Sequence, residues 1–165
     1  MLRWAIDQDR KPIAIRVPSN GVNHTAEPVD TEYSYTPQYK VARQGSQVAI
    51  IAAGSFYQKG ENVADILAAK GINATLINPR YLNAVDAETL DSLKAEHRLI
   101  VTLEDGCKDG GFGERIASYY GTSDMKVLVS GVKKDLYDRY NLRQLLDDNR
   151  LLDEQIVDDI LTIIK

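Results

Sequence analysis

The chain has 165 residues and a formal charge of −4, with 27% charged and 44% hydrophobic residues. That length supports one core-bearing domain and a piece of another, and the acidic balance argues against nucleic acid as a partner. A single cysteine excludes an internal disulfide framework, and no apolar run approaches the ~20 residues of a membrane span.

The first nine residues predict the end of a helix, with Leu2, Ala5 and Ile6 on one face. Residues 12–17, PIAIRV, predict a strand stopped by Pro18, Asn20 and Gly21. Residues 19–38 hold Pro28 and Pro37 with no helical period, which predicts a linker or surface-crossing connection. Tyr33, Tyr35 and Tyr39 alternate as one face of an extended segment against a neighbour does. His24 is isolated in this linker.

From Tyr39 the pattern is regular. Residues 39–42 predict a short strand and 44–46 a tight turn; residues 48–53 predict a buried strand ending at Gly54. A helix to Lys70 follows, with Val63, Ile66 and Leu67 on one face and Gly71 closing it. Residues 74–78 predict the next strand, and Asp86 caps a helix carrying Leu90 and Leu93. His97 stands at that helix's C-terminus, where a positive charge is favoured. Residues 99–103 are a continuous apolar run, as in a strand buried on both faces. Residues 126–130 predict a strand and 141–148 a short helix; Asp153 caps a last helix striped by Ile156, Ile160 and Ile164. This alternation predicts an α/β fold in three layers, a mostly parallel sheet of about five strands with helices on both faces.

After the central strand come Glu104, Asp105 and Asp109, interleaved with Gly106, Gly110, Gly111 and Gly113, and a helix starts at Phe112. Such a joint is where α/β proteins place chemistry. A phosphate loop is disfavoured: G-x-x-x-x-G-K-[ST] is absent, and the acids would repel the anion. The favoured reading is structural, with Glu104 or Asp109 accepting from helix N–H groups and the glycines permitting positive φ and close packing. The strand ends also bring Ser55, Asn78, Arg80 and Ser130 to this edge. Arg80 and Glu104 are expected to form an ion pair there; an anion site using Arg80 is the alternative. Cys107 reads as a plain thiol, and two histidines without ligand spacing predict no transition-metal site.

Three stretches carry a family resemblance: Asn78-Pro-Arg-Tyr-Leu-Asn-Ala-Val-Asp86, His97-Arg-Leu-Ile-Val-Thr-Leu-Glu-Asp-Gly106, and Gly110-Gly-Phe-Gly113. In order and spacing they resemble the C-terminal domain of transketolase-family thiamine-diphosphate enzymes, most like the 1-deoxy-D-xylulose-5-phosphate synthase branch. The start of the chain, through Arg16-Val-Pro18, resembles the last helix and strand of that family's pyrimidine-binding domain. The resemblance implies residues 1–38 as the tail of that domain plus linker, and 39–165 as the C-terminal-like domain. It implies a non-catalytic part of a cytoplasmic homodimer whose full form condenses pyruvate with glyceraldehyde 3-phosphate. This chain itself is expected to bind no cofactor, thiamine diphosphate and Mg²⁺ being held by other domains or a partner subunit. An independent interaction or regulatory module, or part of a transketolase or 2-oxo acid dehydrogenase β subunit, is the alternative.

Two departures from the branch pattern stand out. Where it reads R-Y-P-R-G-N this chain has Arg16-Val-Pro-Ser-Asn-Gly21, so Ser19 occupies the place of the arginine that grips the substrate's phosphate. Arg16 and Ser19 are therefore the candidate substrate-edge residues. The second lies at Arg139-Tyr140-Asn141, where the branch often reads H-G-S. The N-terminal tail is expected to be loosely attached or paired with another chain.

Overall fold

The computed structural model describes residues 1–17, 21 and 30–165. Five strands form one sheet in the order β1-β3-β2-β4-β5: β1 Lys40–Arg43, β2 Gln47–Ala52, β3 Thr75–Asn78, β4 His97–Cys107 and β5 Lys126–Val132. All neighbours run parallel except β1, which pairs antiparallel with β3 and closes that edge. The α-helices are α1 Leu2–Asp7, α2 Tyr57–Ala69, α3 Ala87–Leu93, α4 Phe112–Tyr120, α5 Leu142–Asp148 and α6 Asp153–Ile164.

Alternation along the strands divides the core. Val48, Ile50 and Ala52 face α2 and α6, meeting Val63, Leu67, Ile156 and Ile160. Ala49, Ile51 and Ala53 face the other way, toward Leu90 and Leu93 of α3 and Phe112, Ile116 and Tyr120 of α4. Period-two strands and 3.6-period helices meet in this way only when helices cover both faces. The three-layer, mostly parallel architecture read from the sequence is the one observed.

Local chemistry fixes the helix ends. Asp86 caps α3, its carboxylate accepting the Thr89 N–H at 3.1 Å. Asn141 caps α5 in the same way through the Gln144 N–H, also at 3.1 Å. Gly71, at φ +83°, ends α2, and the Ile72 N–H returns to the Leu67 carbonyl at 3.0 Å. Asp153 is the first residue of α6 and not its cap. There it ties α6 to α2, accepting from Lys59 Nζ at 2.6 Å and Asn62 Nδ2 at 2.9 Å.

Two expectations about strands are corrected. Residues 12–17 form no strand and pair with no ladder among the described residues. The central strand does not stop at residue 103. It shifts register and continues to Cys107, which lies opposite Val132, while the Lys108 N–H reaches the Val132 carbonyl at 2.9 Å. Glycine and aspartate read as a turn in sequence, yet a neighbouring strand that meets their backbone groups keeps them extended.

The N-terminal tail meets its own linker segment. α1 buries none of its residues, but Trp4 packs its ring 5.8 Å from that of Tyr33 and 5.4 Å from that of Tyr35. The expected packing of alternate tyrosines against a neighbour is met at Tyr33 and Tyr35 by this contact. Tyr39 instead enters the core beside Phe112.

Candidate functional site

Glu104 organises the carboxyl edge of the sheet. It is 5% exposed, and its two carboxylate oxygens accept the N–H groups of Phe112 at 3.0 Å and Gly113 at 2.8 Å. These are among the first donors of α4, so a fixed negative charge meets the positive helix end. Three glycines make room for it. A Cβ on Gly111 would stand 2.6 Å from Glu104 Oε1, and one on Gly131 would stand 3.2 Å from Glu104 Cγ. A Cβ on Gly113 would lie 2.5 Å from Val129 and overlap the Thr102 hydroxyl. Gly110, at φ +72°, turns the chain toward the helix, and its N–H goes to Glu114 at 2.7 Å. In this loop Glu104 is the acceptor for the helix N–H groups; Glu114, which the sequence reading missed, serves Gly110.

Arg80 does not meet Glu104. Its guanidinium reaches Asp30 at 3.2 Å and the Gln38 carbonyl at 3.1 Å through Nε and 2.8 Å through the outer nitrogen. The reason is strand order: β2 lies between β3, which Arg80 follows, and β4, which carries Glu104. The anion reading of Arg80 loses its basis too, because its donors are engaged by chain oxygens. Asp30, Gln38 and Tyr81 belong to this cluster; Tyr81 falls within the family-like stretch 78–86, while Asp30 and Gln38 carried no signal in the sequence beyond their polarity.

Arg16 lies at the edge beside Asp105, at 2.9 Å, and Ser55 donates to the same carboxylate at 2.7 Å. Ser19, its companion in the expected substrate edge, lies outside the described residues, as does His24. Ser130 is buried and Cys107 is an exposed free thiol.

His97 belongs to the opposite edge and is not a helix-end cation. It is 6% exposed; Nδ1 lies 3.0 Å from the Leu93 carbonyl and Nε2 2.8 Å from Thr75 Oγ1. The carbonyl only accepts, so Nδ1 carries the proton and Nε2 accepts from the Thr75 hydroxyl. That hydroxyl in turn accepts the Gly45 N–H at 2.9 Å. Burial holds the imidazole below its ordinary pKa, partly offset by the Leu93 carbonyl and Glu96. A cleft of about 560 Å³ at this edge is lined in part by Lys94, Arg98 and Lys126. Two of these cations are occupied: Lys94 with Asp91 at 2.6 Å and Lys126 with the Ile163 carbonyl at 3.2 Å.

Buried phenols complete the interior. Burial pushes Tyr39 up to about 12 and raises Tyr120, whose hydroxyl donates to the Leu90 carbonyl at 2.7 Å. Asp86 is shifted down: burial works against this, but the Tyr39 N–H and the Thr89 hydroxyl and N–H outweigh it. None of these groups is set up as an acid or base over a cavity.

Among the described residues no ready cradle for thiamine diphosphate and its metal is found. The described residues contain no group of three or more His, Cys, Asp or Glu that could hold an ion. The α4 N–H groups that would receive a phosphate are already closed by Glu104. What the edge can do is hold its own loop and the N-terminal tail in register.

A family model described as "Transketolase, C-terminal domain" matches residues 38–156. The chain is similar to the 1-deoxy-D-xylulose-5-phosphate synthase of Lachnoclostridium phytofermentans, 34% identical over 97% of this chain and 26% of that protein. It is also similar to the synthase of Clostridium beijerinckii, 32% identical over 82% of this chain and 22% of that one. It thus spans about a quarter of the length of these curated relatives. Among solved structures, a split-gene transketolase described as an inactive beta4 tetramer superposes with a TM-score of 0.72 at 24% identity, over 87% of this chain and 46% of that one.

Proposed function

The chain belongs to the transketolase C-terminal domain family, and from that premise we propose that it is the non-catalytic C-terminal part of a thiamine-diphosphate-dependent transferase of the 1-deoxy-D-xylulose-5-phosphate synthase kind. In this reading thiamine diphosphate and Mg²⁺ are held elsewhere in the enzyme, by the other domains or by a partner subunit. Those parts condense pyruvate with glyceraldehyde 3-phosphate, with loss of carbon dioxide. Residues 39–165 stabilise the assembly as a cytoplasmic homodimer, and residues 1–38 are the tail of the pyrimidine-binding domain with its linker. The similarity to two synthases over most of this chain supports the choice of branch. Arg16 stands at the substrate edge, and Ser19 leaves it without the second arginine of the usual pair.

The observation that carries the non-catalytic reading is Glu104. Glu104, the one buried carboxylate at the sheet's carboxyl edge among the described residues, spends both oxygens on backbone N–H groups of its own loop. A carboxylate so committed neither binds a phosphate nor exchanges protons with a substrate.

Co-expression with a polypeptide bearing the two thiamine-binding domains tests the reading. The expected result is a stable complex that transfers a two-carbon unit from pyruvate to glyceraldehyde 3-phosphate. Complex formation without any pyruvate-dependent transfer would overturn the synthase assignment. Capture only of proteins lacking thiamine-binding domains would favour an independent interaction module.

A further inference from the structure

Arg80 is the least explained residue of the carboxyl edge. It takes a left-handed backbone, φ +55°, a conformation that a residue with a Cβ adopts at a cost. The loop holds it there: its N–H donates to Asn78 Oδ1 at 3.1 Å. With this geometry the guanidinium forks onto the Gln38 carbonyl and reaches Asp30, closing both ends of one segment. Its neighbour Tyr81 grips the middle. The Tyr81 hydroxyl donates to the Ser34 carbonyl at 2.7 Å and accepts the Ser34 N–H at 3.0 Å. Residues 30–38 contain no regular element, so these contacts replace the ladder bonds they lack.

This segment carries the tail. Trp4 lies against Tyr33 and Tyr35, and the Tyr35 hydroxyl donates to Gln8 Oε1 at 2.5 Å. On the far side of the tail Arg16 reaches Asp105, whose exposed pairing is weak by itself. We infer that residues 30–38 are a strap which the loop at 78–81 holds at three points, and that Arg80 and Tyr81 are positioning residues that set where the tail's Trp4 and Gln8 stand relative to the sheet. The strap offers Trp4 and Gln8 an already ordered surface, which lowers the entropy cost of seating them. This goes beyond the transferase reading and does not depend on it.

The chain carries its own probes, one tryptophan and one cysteine. Trp4 sits on the strap and Cys107 is an exposed thiol at the carboxyl end of β4. Energy transfer from Trp4 to an acceptor attached at Cys107 therefore reads the tail's position. Amide exchange at Ser34 reads the strap itself. Tyr81→Phe removes only the hydroxyl, and Arg80→Ala removes both the fork onto Gln38 and the pair with Asp30. Exchange at Ser34 is expected to rise at least ~10-fold in Tyr81→Phe, two hydrogen bonds being lost. Transfer efficiency is expected to fall in the double variant, while exchange of β2 stays as in the parent. Arg80→Lys, which keeps the charge but not the fork, is expected to behave like Arg80→Ala. Unchanged exchange at Ser34 in Tyr81→Phe, or unchanged transfer in the double variant, would overturn the strap. Equal loss of protection in β2 would overturn it as well, by showing that the two residues serve the whole fold.

Discussion

Single residues at the two sheet edges are held by different partners. Glu104 spends both carboxylate oxygens on helix N–H groups, whereas His97 is buried between a carbonyl and a hydroxyl. The folded-state pKa of His97 lies below its ordinary value. Between that lowered value and about 6.5 the unfolded chain therefore binds more protons than the folded one. Its contribution to stability is full above about pH 6.5 and is lost as pH falls through the folded pKa. Urea unfolding midpoints should thus decline from pH 7 to 5.5 in the parent. The decline should flatten in His97→Asn, which retains a donor for the Leu93 carbonyl but does not titrate. A parent and variant with equal slopes would show that His97 does not control this window. The position of His97 next to a helix end was legible in the sequence. Its burial was not, because Thr75 and Gly45 come to it from elements 22 and more residues away.

At the scale of elements, the joint between β4 and α4 depends on Gly113. With a side chain there, the helix start would press on Val129 and the Thr102 hydroxyl, both in the sheet. Thr102 Oγ1 is buried with no partner, so it has no hydrogen bond to redirect and only space to give up. Gly113→Ala should therefore destabilise the chain by about 1–3 kcal/mol, the usual range for overpacking a filled site. Chemical denaturation would measure this, and a loss below ~0.5 kcal/mol would mean that α4 slides freely over the sheet. The glycines and the acid of this joint could be read in advance because they are local: an apolar run, an acceptor and small residues within ten positions. Strand order is not local. Arg80 and Glu104 each follow a strand, yet β2 separates those strands, and no residue near either one says so. The same limit explains the continued β4, whose last residues are extended only because β5 pairs with Cys107. Residues 12–17 fail for the converse reason: a strand-like pattern forms no strand without an edge to join.

For the whole molecule the question is where its charge and its backbone donors are left available. A diphosphate cofactor needs Mg²⁺ oxygen ligands and a source of N–H groups or cations. No G-D-G, the start of the metal motif that the family resemblance implies, occurs in the sequence, and after Glu104-Asp105-Gly106 the next asparagine is Asn141. The helix start best placed to receive a phosphate is sealed by Glu104, and Asp105 takes up Arg16 and Ser55. Bringing a diphosphate to this edge would displace a buried carboxylate from two N–H groups and set two anions side by side, which is unfavourable on both counts. Titration calorimetry of this chain with thiamine diphosphate and Mg²⁺ should accordingly show no saturable heat, and the chain alone should release no carbon dioxide from pyruvate. Micromolar binding would mean that the Glu104 loop opens. Exchange of the Phe112 and Gly113 amides with and without cofactor would then register the opening directly.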